Sequence, residues 1–347
     1  MRASTIKFIM LLLMKLMGLS LQMRSREHLL IAEIAKNILT KSELGQRALS
    51  WSREILHPYS EVCGEKYYPF VEAATWAGKI KQQNWRSMDD WHYIYIFGGN
   101  STVCEKNYKN SPEYTSENLV WAINQCITHL VHSEPPQMMG SGKPNPILGL
   151  SIDLRILLHL VGNIHSSLNT FSFCDAKTFP FGDQRGRLWP VFYPKNVLTN
   201  LNAVWHNRFD MAGEDIYSPI SEAQYEEIKI EAQNLTAIYS YENFIPLMVA
   251  DNTIQSWAHE GVNFSKGFVY KNYELQLYET LDEEYINYGY EMTKRNIVLA
   301  GYRLGDLIVY LYQLKESGVE LDAMISSEEG FKIDYGFILG VLGHNKD

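Results

Sequence analysis

The chain has 347 residues, of which 46% are hydrophobic and 13% aromatic, and its formal net charge at pH 7 is -9. This composition can bury a large core, which excludes a disordered chain and predicts a globular protein. The negative charge and the lack of a Lys/Arg block exclude nucleic-acid binding through bulk positive charge, so any such contact would be local.

The N-terminal segment has the order of charges and apolar residues that is typical of a secretory signal peptide. Arg2 and Lys7 precede the apolar run FIMLLLMKLMGLSLQ, which ends in small and polar residues. This pattern predicts a signal peptide over residues 1–22 and a mature chain that is secreted or enters the endomembrane or lysosomal lumen. One alternative is an uncleaved anchor. The other is a mitochondrial presequence, because no acidic residue precedes Glu27. No later segment is predicted to span a membrane.

Two features of the chain after residue 22 agree with secretion. Four cysteines permit two disulfides, and the sequence does not choose among the three pairings of Cys63, Cys104, Cys126 and Cys174. Three Asn-x-Ser/Thr triplets are candidate N-glycosylation sites, at Asn100, Asn234 and Asn263.

The rest of the chain has mainly helical patterns. Apolar residues recur at helical spacing over residues 28–39, and Ser42 is a candidate N-cap for the next helix. Further helices are predicted over residues 116–132, 147–165, 197–209, 221–235 and 283–317. The best strand candidate is the short run Trp91–Phe97, and no loop is long and polar enough to be a domain linker. We therefore predict an all-α fold, with a single compact helical domain over residues 23–335 and a C-terminal tail over residues 336–347.

The segment LHLVGNIHSSLNT, residues 158–170, has the spacing of a metal-binding helix. His159 and Asn163 are four residues apart, which places both on one helix face about 40° from each other. A metal site would have His or Asp at these places and at Asn169, and two of the three are amides.

Six short motifs, taken in order along the chain, resemble one family. They are MRSREH (Met23–His28), TWAG (Thr75–Gly78), WHYI (Trp91–Ile94), HLVGNIHSSLN (His159–Asn169), GDQRGR (Gly182–Arg187) and NLNAVWH (Asn200–His206). The chain resembles the S1/P1-type zinc nucleases, which are single-strand-specific nucleases and 3'-nucleotidases with the all-α fold of zinc phospholipase C. The resemblance covers nearly the whole mature chain. It implies three zinc ions that turn a bound water into hydroxide for attack on phosphorus.

The resemblance also implies nine metal-ligand positions, and most of them are substituted here. Three keep a histidine, at His28, His92 and His159. Five hold residues that are weak zinc ligands or none, at Met23, Gly78, Asn163, Asn169 and Asn202. At the ninth position His206 replaces an aspartate. Gly78 also replaces the carboxylate that orients the attacking water in the family, so no catalytic residue is assigned.

Two hypotheses about binding follow from these substitutions. His28, His92, His159 and His206 are candidates for a residual site with at most one zinc ion, and the alternative is that they are remnants hydrogen-bonded to the new amides. Arg185 and Arg187 stand where the family has a Gly-Gly-Asn segment, and they are candidates for gripping a phosphate or a carboxylate. The alternative for both arginines is that they are solvated loop charges.

Three functions remain open at this point. The first is a catalytically inactive or strongly impaired pseudonuclease with a polar cleft for a nucleotide, a single-stranded nucleic acid or a protein partner. The second is an active metal-dependent endonuclease or 3'-nucleotidase that hydrolyses single-stranded DNA or RNA. The third is a structural subunit of a larger assembly. The lost ligands favour the first, since even one second-shell loss costs about 10–100-fold in metal affinity or activity.

Overall fold

The computed structural model describes residues 25–111, 115–132, 146–207, 216, 218–318 and 331–343. Most of them lie in helices, which confirms the predicted all-α fold. The α-helices are α1 (Ser25–Leu39), α2 (Glu43–Cys63), α3 (Pro69–Glu72), α4 (Trp76–Gln82), α5 (Ser101–Lys109), α6 (Leu119–His132), α7 (Pro146–Ile164), α8 (Leu201–Asn207), α9 (Glu222–Ile238), α10 (Tyr241–Ala250), α11 (Ile254–Phe264), α12 (Glu283–Ser317) and α13 (Tyr335–Val341).

Four short strands and several single turns of 3-10 or π helix connect these helices. Strand β1 (Ile96–Gly99) pairs in parallel with β2 (Phe171–Cys174), and β3 (Pro190–Tyr193) pairs antiparallel with β4 (Val197–Asn200). The 3-10 turns are Ala73–Thr75, Asp89–His92, Ser167–Asn169 and Lys271–Tyr273, and the π turn is Ser265–Val269.

Two predicted elements were wrong in part. The helix predicted over residues 197–209 begins as β4, because Val197–Asn200 pairs with β3, and becomes helical only from Leu201. The strand predicted over Trp91–Phe97 begins at Ile96, where β2 supplies a hydrogen-bonding partner, and Trp91 belongs to a 3-10 turn. Phe171 lies 75 positions after its partner Ile96, so local periodicity does not reveal the pairing of β1 with β2. In contrast, three residues separate the end of β3 from the start of β4, and their hairpin is a local feature that the helix predicted over residues 197–209 missed.

The packing of α12 against α1 forms the centre of the core. Two glycines of α12 allow the helices to approach closely, since a Cβ on Gly301 would lie 2.6 Å from the Cβ of Ile34. A Cβ on Gly305 would lie 2.9 Å from the Cβ of Ile38. Ser42 caps α2 by accepting a hydrogen bond from the backbone N–H of Gly45, as predicted, and thereby fixes the turn after α1.

Two apolar clusters surround the polar residues described below. The larger cluster joins α1, α2, α6, α7 and α12, and the smaller one is mainly aromatic and includes Phe171, Trp189 and Tyr270. His159 lies among residues of the first cluster, whereas His206 follows Val204 and Trp205 of the second. The polar residues therefore lie where the two clusters meet.

The structure corrects the expectation of two disulfides. Cys104 of α5 is bonded to Cys174 of β2, while Cys63 and Cys126 are free thiols. Cys126 is buried within α6 among apolar side chains of the core, and burial raises the pKa of its thiol. Cys63 ends α2 and is half-buried, so the two thiols belong to different surroundings.

The described structure continues beyond the end that was predicted for the domain. Helix α13 follows residue 331, and its Ile338 is completely buried against the core. The predicted tail over residues 336–347 therefore contributes to the packed structure through α13.

Among the described residues, two helices are long and apolar enough to cross a membrane by composition alone. They are Ile147–Ile164 and Glu283–Ser317, whose most apolar windows are 72% and 94% buried within the fold. Both are core helices, which agrees with the prediction of no membrane span in the mature chain.

Candidate functional site

The fold brings together residues from seven separate parts of the chain. The residues are His28 of α1, Gly78 and Lys81 of α4, His92 of a 3-10 turn, His159 and Asn163 of α7, Asn169 and Arg185 of the connecting segments, and Asn202 and His206 of α8. Every one of the histidines, asparagines and Arg185 in this set is buried. Met23, the remaining substituted ligand position, lies outside the described residues.

Three imidazole rings form the centre of the site. The rings of His28 and His159 are stacked, with centroids 3.8 Å apart and an interplanar angle of 18°. His92 meets His159 edge-on at 5.2 Å between centroids. Gly162 makes room for this arrangement, since a Cβ there would lie 2.7 Å from Nδ1 of His28.

Gly78 faces the same rings. A Cβ on Gly78 would have Cε1 of His159 as its one neighbour within 4 Å among the described residues, at 3.4 Å. A carboxylate at this position would therefore reach the imidazoles, as the resemblance implied. With glycine there, no base is available at that place to orient a water.

The substituted amides are bound to their neighbours in a continuous chain of hydrogen bonds. Asn163 donates from Nδ2 to Nδ1 of His92 at 2.9 Å. Asn169 donates from Nδ2 to the carbonyl oxygen of Asn163 at 3.1 Å, and Arg185 Nη1 donates to Oδ1 of Asn169 at 3.3 Å. Asn202 donates from Nδ2 to the carbonyl oxygen of Arg185 at 2.9 Å. At the positions where the resemblance implies metal ligands, these three amides serve as hydrogen-bonding groups of the protein.

The imidazoles are electrically neutral at physiological pH. Burial lowers the pKa of His159 to about 4, with the charge of Lys81 adding to the effect. Burial lowers the pKa of His206 to about 3, followed by the charges of Arg185 and Arg187. The pKa values of His28 and His92 also lie well below the usual range, mainly because of burial.

Several buried polar atoms of the site have no hydrogen-bond partner among the described residues. They are Nδ1 and Nε2 of His28, Nε2 of His159, Nε2 of His206, Oδ1 of Asn163, Oδ1 of Asn202 and Nε of Arg185. Such atoms are rare in folded proteins, and their concentration in one place marks a binding site.

The residues do not fit a trinuclear zinc centre. A zinc ion lies in the plane of each imidazole that binds it, about 2.0–2.1 Å from the nitrogen. The nearly parallel planes of His28 and His159 do not meet at such a distance, and Nδ1 of His92 already accepts a hydrogen bond from Asn163. Within the described part of the chain, no three His, Cys, Asp or Glu side chains are placed to hold one metal ion. Of the four candidate histidines, His28, His92 and His159 have their rings in contact, but they are not placed to hold one metal ion.

A strained loop carries Arg185 into the site. Gln184, Arg185 and Gly186 have φ angles of 54°, 62° and 78°, all in the left-handed region. This conformation costs a non-glycine residue about 1–2 kcal/mol, so the surroundings must hold it.

Asp183 provides that support. Its carboxylate is buried and accepts hydrogen bonds from Ser172 Oγ, the backbone N–H of Phe173 and the hydroxyl of Tyr270. Burial raises its pKa to about 6 even so, because these donors only partly compensate for lost hydration. The loop geometry is therefore fixed from the core side.

The interpretation of the two arginines as solvated loop charges is wrong for Arg185. Its side chain is only 5% exposed, and its guanidinium carbon lies 4.0 Å from the ring centroid of Tyr93. Arg187 is half-buried nearby. The positive charge of Arg185 contributes to lowering the pKa of Arg187 to about 10, after the larger effect of burial.

Lys81 is a site residue that sequence reasoning missed. Its Nζ lies 3.2 Å from Oδ1 of Asp89, and burial, together with the charges of Arg185 and Arg187, lowers its pKa to about 8. The available signal was its spacing, because residue 81 is three positions after Gly78 and shares its helix face.

Aromatic side chains line a cavity beside Arg185. The cavity has a volume of about 230 Å³, and its walls include Tyr93, Tyr95, Phe97 and Tyr108. Tyr93 therefore contacts Arg185 on one side and forms part of the cavity wall.

The three candidate glycosylation sites lie away from these buried residues. Asn100 precedes α5, Asn234 lies on α9 and Asn263 lies on α11, and all three side chains are exposed. Exposure permits glycan attachment without disturbance of the core.

A family model described as S1/P1 nuclease matches residues 25–313. No curated protein matches the chain significantly.

Proposed function

The chain belongs to the S1/P1 nuclease family, and on this basis we propose that it is a pseudonuclease with a degenerate metal site and little or no phosphodiesterase activity. One observation carries the proposal. Asn163, Asn169 and Asn202 replace the metal ligands. Their amide groups donate hydrogen bonds to His92, to the backbone carbonyl of Asn163 and to the backbone carbonyl of Arg185, in that order. They serve as hydrogen-bonding groups of the protein, in place of charged ligands.

The chemistry of the family supports this proposal. Zinc in such a site supplies a hydroxide nucleophile and stabilises negative charge on the phosphoryl oxygens. Side chains that bind zinc in such a site are negatively charged or basic, and an amide oxygen is neutral and only weakly basic. The buried imidazoles supply no negative charge, and Gly78 supplies no base. What these residues can do is bind a polar ligand without attacking it.

Zinc content and nuclease activity, measured on the same purified mature protein, test the proposal. We expect less than one equivalent of zinc by elemental analysis and no EDTA-sensitive digestion of single-stranded DNA. A variant with G78D, N163D, N169H, R185G, N202H and H206D restores the family's residue types at these positions and serves as the matched positive control, after circular dichroism shows that it folds. Two or more tightly held zinc ions with EDTA-sensitive cleavage by the unmodified protein would falsify the proposal.

A second candidate is a metal-dependent nuclease that works with a single ion. The unpartnered nitrogens of His28, His159 and His206 favour it, since neutral imidazole nitrogens are zinc ligands. One equivalent of zinc together with cleavage that zinc restores after EDTA treatment would select this candidate. One equivalent without cleavage would retain the pseudonuclease with a structural ion.

We also propose that the protein is secreted or enters an endomembrane or lysosomal lumen. The Cys104–Cys174 disulfide and the exposed sequon asparagines support an oxidising compartment. N-terminal sequencing of the protein from culture medium, with glycosidase treatment, tests this. A mature chain that begins near residue 23 and loses mass on deglycosylation is expected, and an intact N-terminus inside the cell would contradict it.

A further inference from the structure

The guanidinium of Arg185 is buried with little compensation. It offers five N–H donors, and the described contacts are one hydrogen bond to Asn169 and the face of Tyr93. Its Nε has no partner, and no described carboxylate lies within 4 Å of it. A buried charge is retained at a loss of stability unless an opposite charge or several hydrogen bonds accompany it. The unused donors of Arg185 therefore point to an absent anion.

The loop that presents Arg185 is built to hold it there. Left-handed backbone angles at Gln184 and Arg185 persist because Asp183 anchors the loop and Asn202 binds the carbonyl of Arg185. The opposite arrangement, a relaxed loop with an exposed arginine, would remove both the strain and the buried charge.

Two more cations lie beside Arg185. Arg187 is half-buried, and no described carboxylate pairs with it. Lys81 pairs with Asp89, a carboxylate that also binds Arg86 at 2.8 Å and so is shared between two cations. Like charges in a poorly hydrated place repel each other, and the lowered pKa values of Lys81 and Arg187 agree with such crowding.

We propose that Arg185 and Arg187, with Lys81 beside them, bind a phosphate-type dianion without any metal, at the place where the family holds zinc. The inference rests on the proposed function, since it requires that zinc does not occupy the site. Guanidinium groups bind phosphate oxygens through pairs of parallel hydrogen bonds. Three neighbouring cations favour a ligand with two negative charges over a ligand with a single negative charge. A phosphate monoester, either as inorganic phosphate or as the end of a nucleotide, is therefore the favoured ligand class.

Isothermal titration of the mature protein with inorganic phosphate in excess EDTA tests the inference. We expect saturable binding that R185Q weakens by about tenfold or more and R187Q by several-fold, because each removes a charged donor pair. Arg47, which is exposed and pairs with Glu316, provides the matched control, and R47Q is expected to leave the affinity unchanged. R185K is expected to restore only part of the affinity, since lysine keeps the charge and loses the paired geometry.

Different outcomes of this experiment distinguish inorganic phosphate from a nucleotide as the ligand, and this inference from the proposed function. Tighter binding of a 3'-nucleotide than of inorganic phosphate identifies a nucleotide as the ligand and supports the inference. Binding of citrate but not of phosphate overturns it, and so does an R187Q protein that folds and binds phosphate like the unmodified one. Phosphate binding only after zinc is added overturns this inference and, with two or more zinc ions, the proposed function as well. No binding by a zinc-free, inactive protein overturns this inference alone.

Discussion

The contact between Gly162 and His28 allows a sharp test of how the core positions the site. Gly149 and Gly162 both lie in α7, but a Cβ on Gly149 would have no described neighbour within 4 Å. A Cβ on Gly162 would lie 2.7 Å from Nδ1 and 2.9 Å from Cε1 of His28. The ring of His28 is completely enclosed and already stacked on His159, so it has no free direction in which to move.

The two glycine-to-alanine substitutions should therefore act in opposite directions. G149A should stabilise the protein by about 0.5–1 kcal/mol, since alanine is the better helix former. G162A gains the same helix propensity of about 0.5–1 kcal/mol but loses about 1–3 kcal/mol through overpacking against His28, which gives a net loss of about 0–2.5 kcal/mol, centred near 1 kcal/mol. The free energy of unfolding from urea titration followed by circular dichroism measures both.

A third variant isolates the contact. In the H28A background the steric conflict disappears, and G162A should raise the free energy of unfolding. The double-mutant cycle of H28A and G162A should then give a coupling energy of about 2 kcal/mol between the two positions. If G162A stabilised the unmodified protein as much as G149A does, His28 would not pack against α7, and the stacked imidazole arrangement would be refuted.

Three further outcomes follow from other parts of the structure. Removal of the disulfide by C104S should lower the free energy of unfolding by about 4 kcal/mol, because it frees a loop of 70 residues in the unfolded chain. Substitution of a free thiol by C63S should change it little. Equal losses for the two variants in urea titrations would contradict this. Asp306 is buried, and burial raises the pKa of its carboxyl from 3.8 to about 8. Between pH 4 and pH 8 the folded state therefore binds a proton that the unfolded state lacks. The free energy of unfolding should fall by about 1.4 kcal/mol for each unit that the pH rises in this range. D306N should remove this slope, and parallel stability curves for the two proteins would show the idea to be wrong. The phosphate affinity should fall above pH 8 as Lys81 loses its proton, and K81R should keep it, which titration calorimetry at pH 7 and pH 9 can decide.

The sequence was most informative where one segment determines its own structure. The long periodic pattern over residues 283–317 coincides with α12, and the Ser42 cap was visible as a local signal. The six ordered motifs identified the family, and the family match confirmed it. These features depend on spacing and residue type, which the sequence contains directly.

What the sequence could not provide were contacts between distant segments. The hydrogen bond between Asn163 and His92 joins residues 71 positions apart, and the stacking of His28 on His159 depends on how α1 packs on α7. The burial of Arg185 depends on Asp183 and Tyr270, which no local pattern connects to a loop. Similarly, the pairing of β1 with β2 joins Ile96 and Phe171, which are 75 positions apart. Tertiary packing thus decided the features in which prediction was incomplete.

Under the proposed function, zinc and Arg185 would compete for the same place, which would explain why the substitutions form a consistent set. Two unit charges 4 Å apart interact by about 4 kcal/mol at an effective dielectric constant of 20, so a divalent ion near an enclosed guanidinium would meet roughly twice that repulsion. Carboxylates at residues 78 and 163 would be balanced by Lys81 and Arg185 before any metal. We therefore expect the variant with G78D and N163D to bind no more zinc than the unmodified protein.

Adding R185G to that pair should change the result, because the carboxylates then lack one of the two cations that would balance them. Elemental analysis after dialysis against zinc should show a gain of zinc only in the triple variant, with R187G in place of R185G as the matched control. A gain of zinc in the double variant would mean that Arg185 does not oppose metal binding. Under the proposed function, the substituted ligand positions and the buried arginine are parts of a single change in the charge that the site accepts, from a cation held by carboxylates to an anion held by cations.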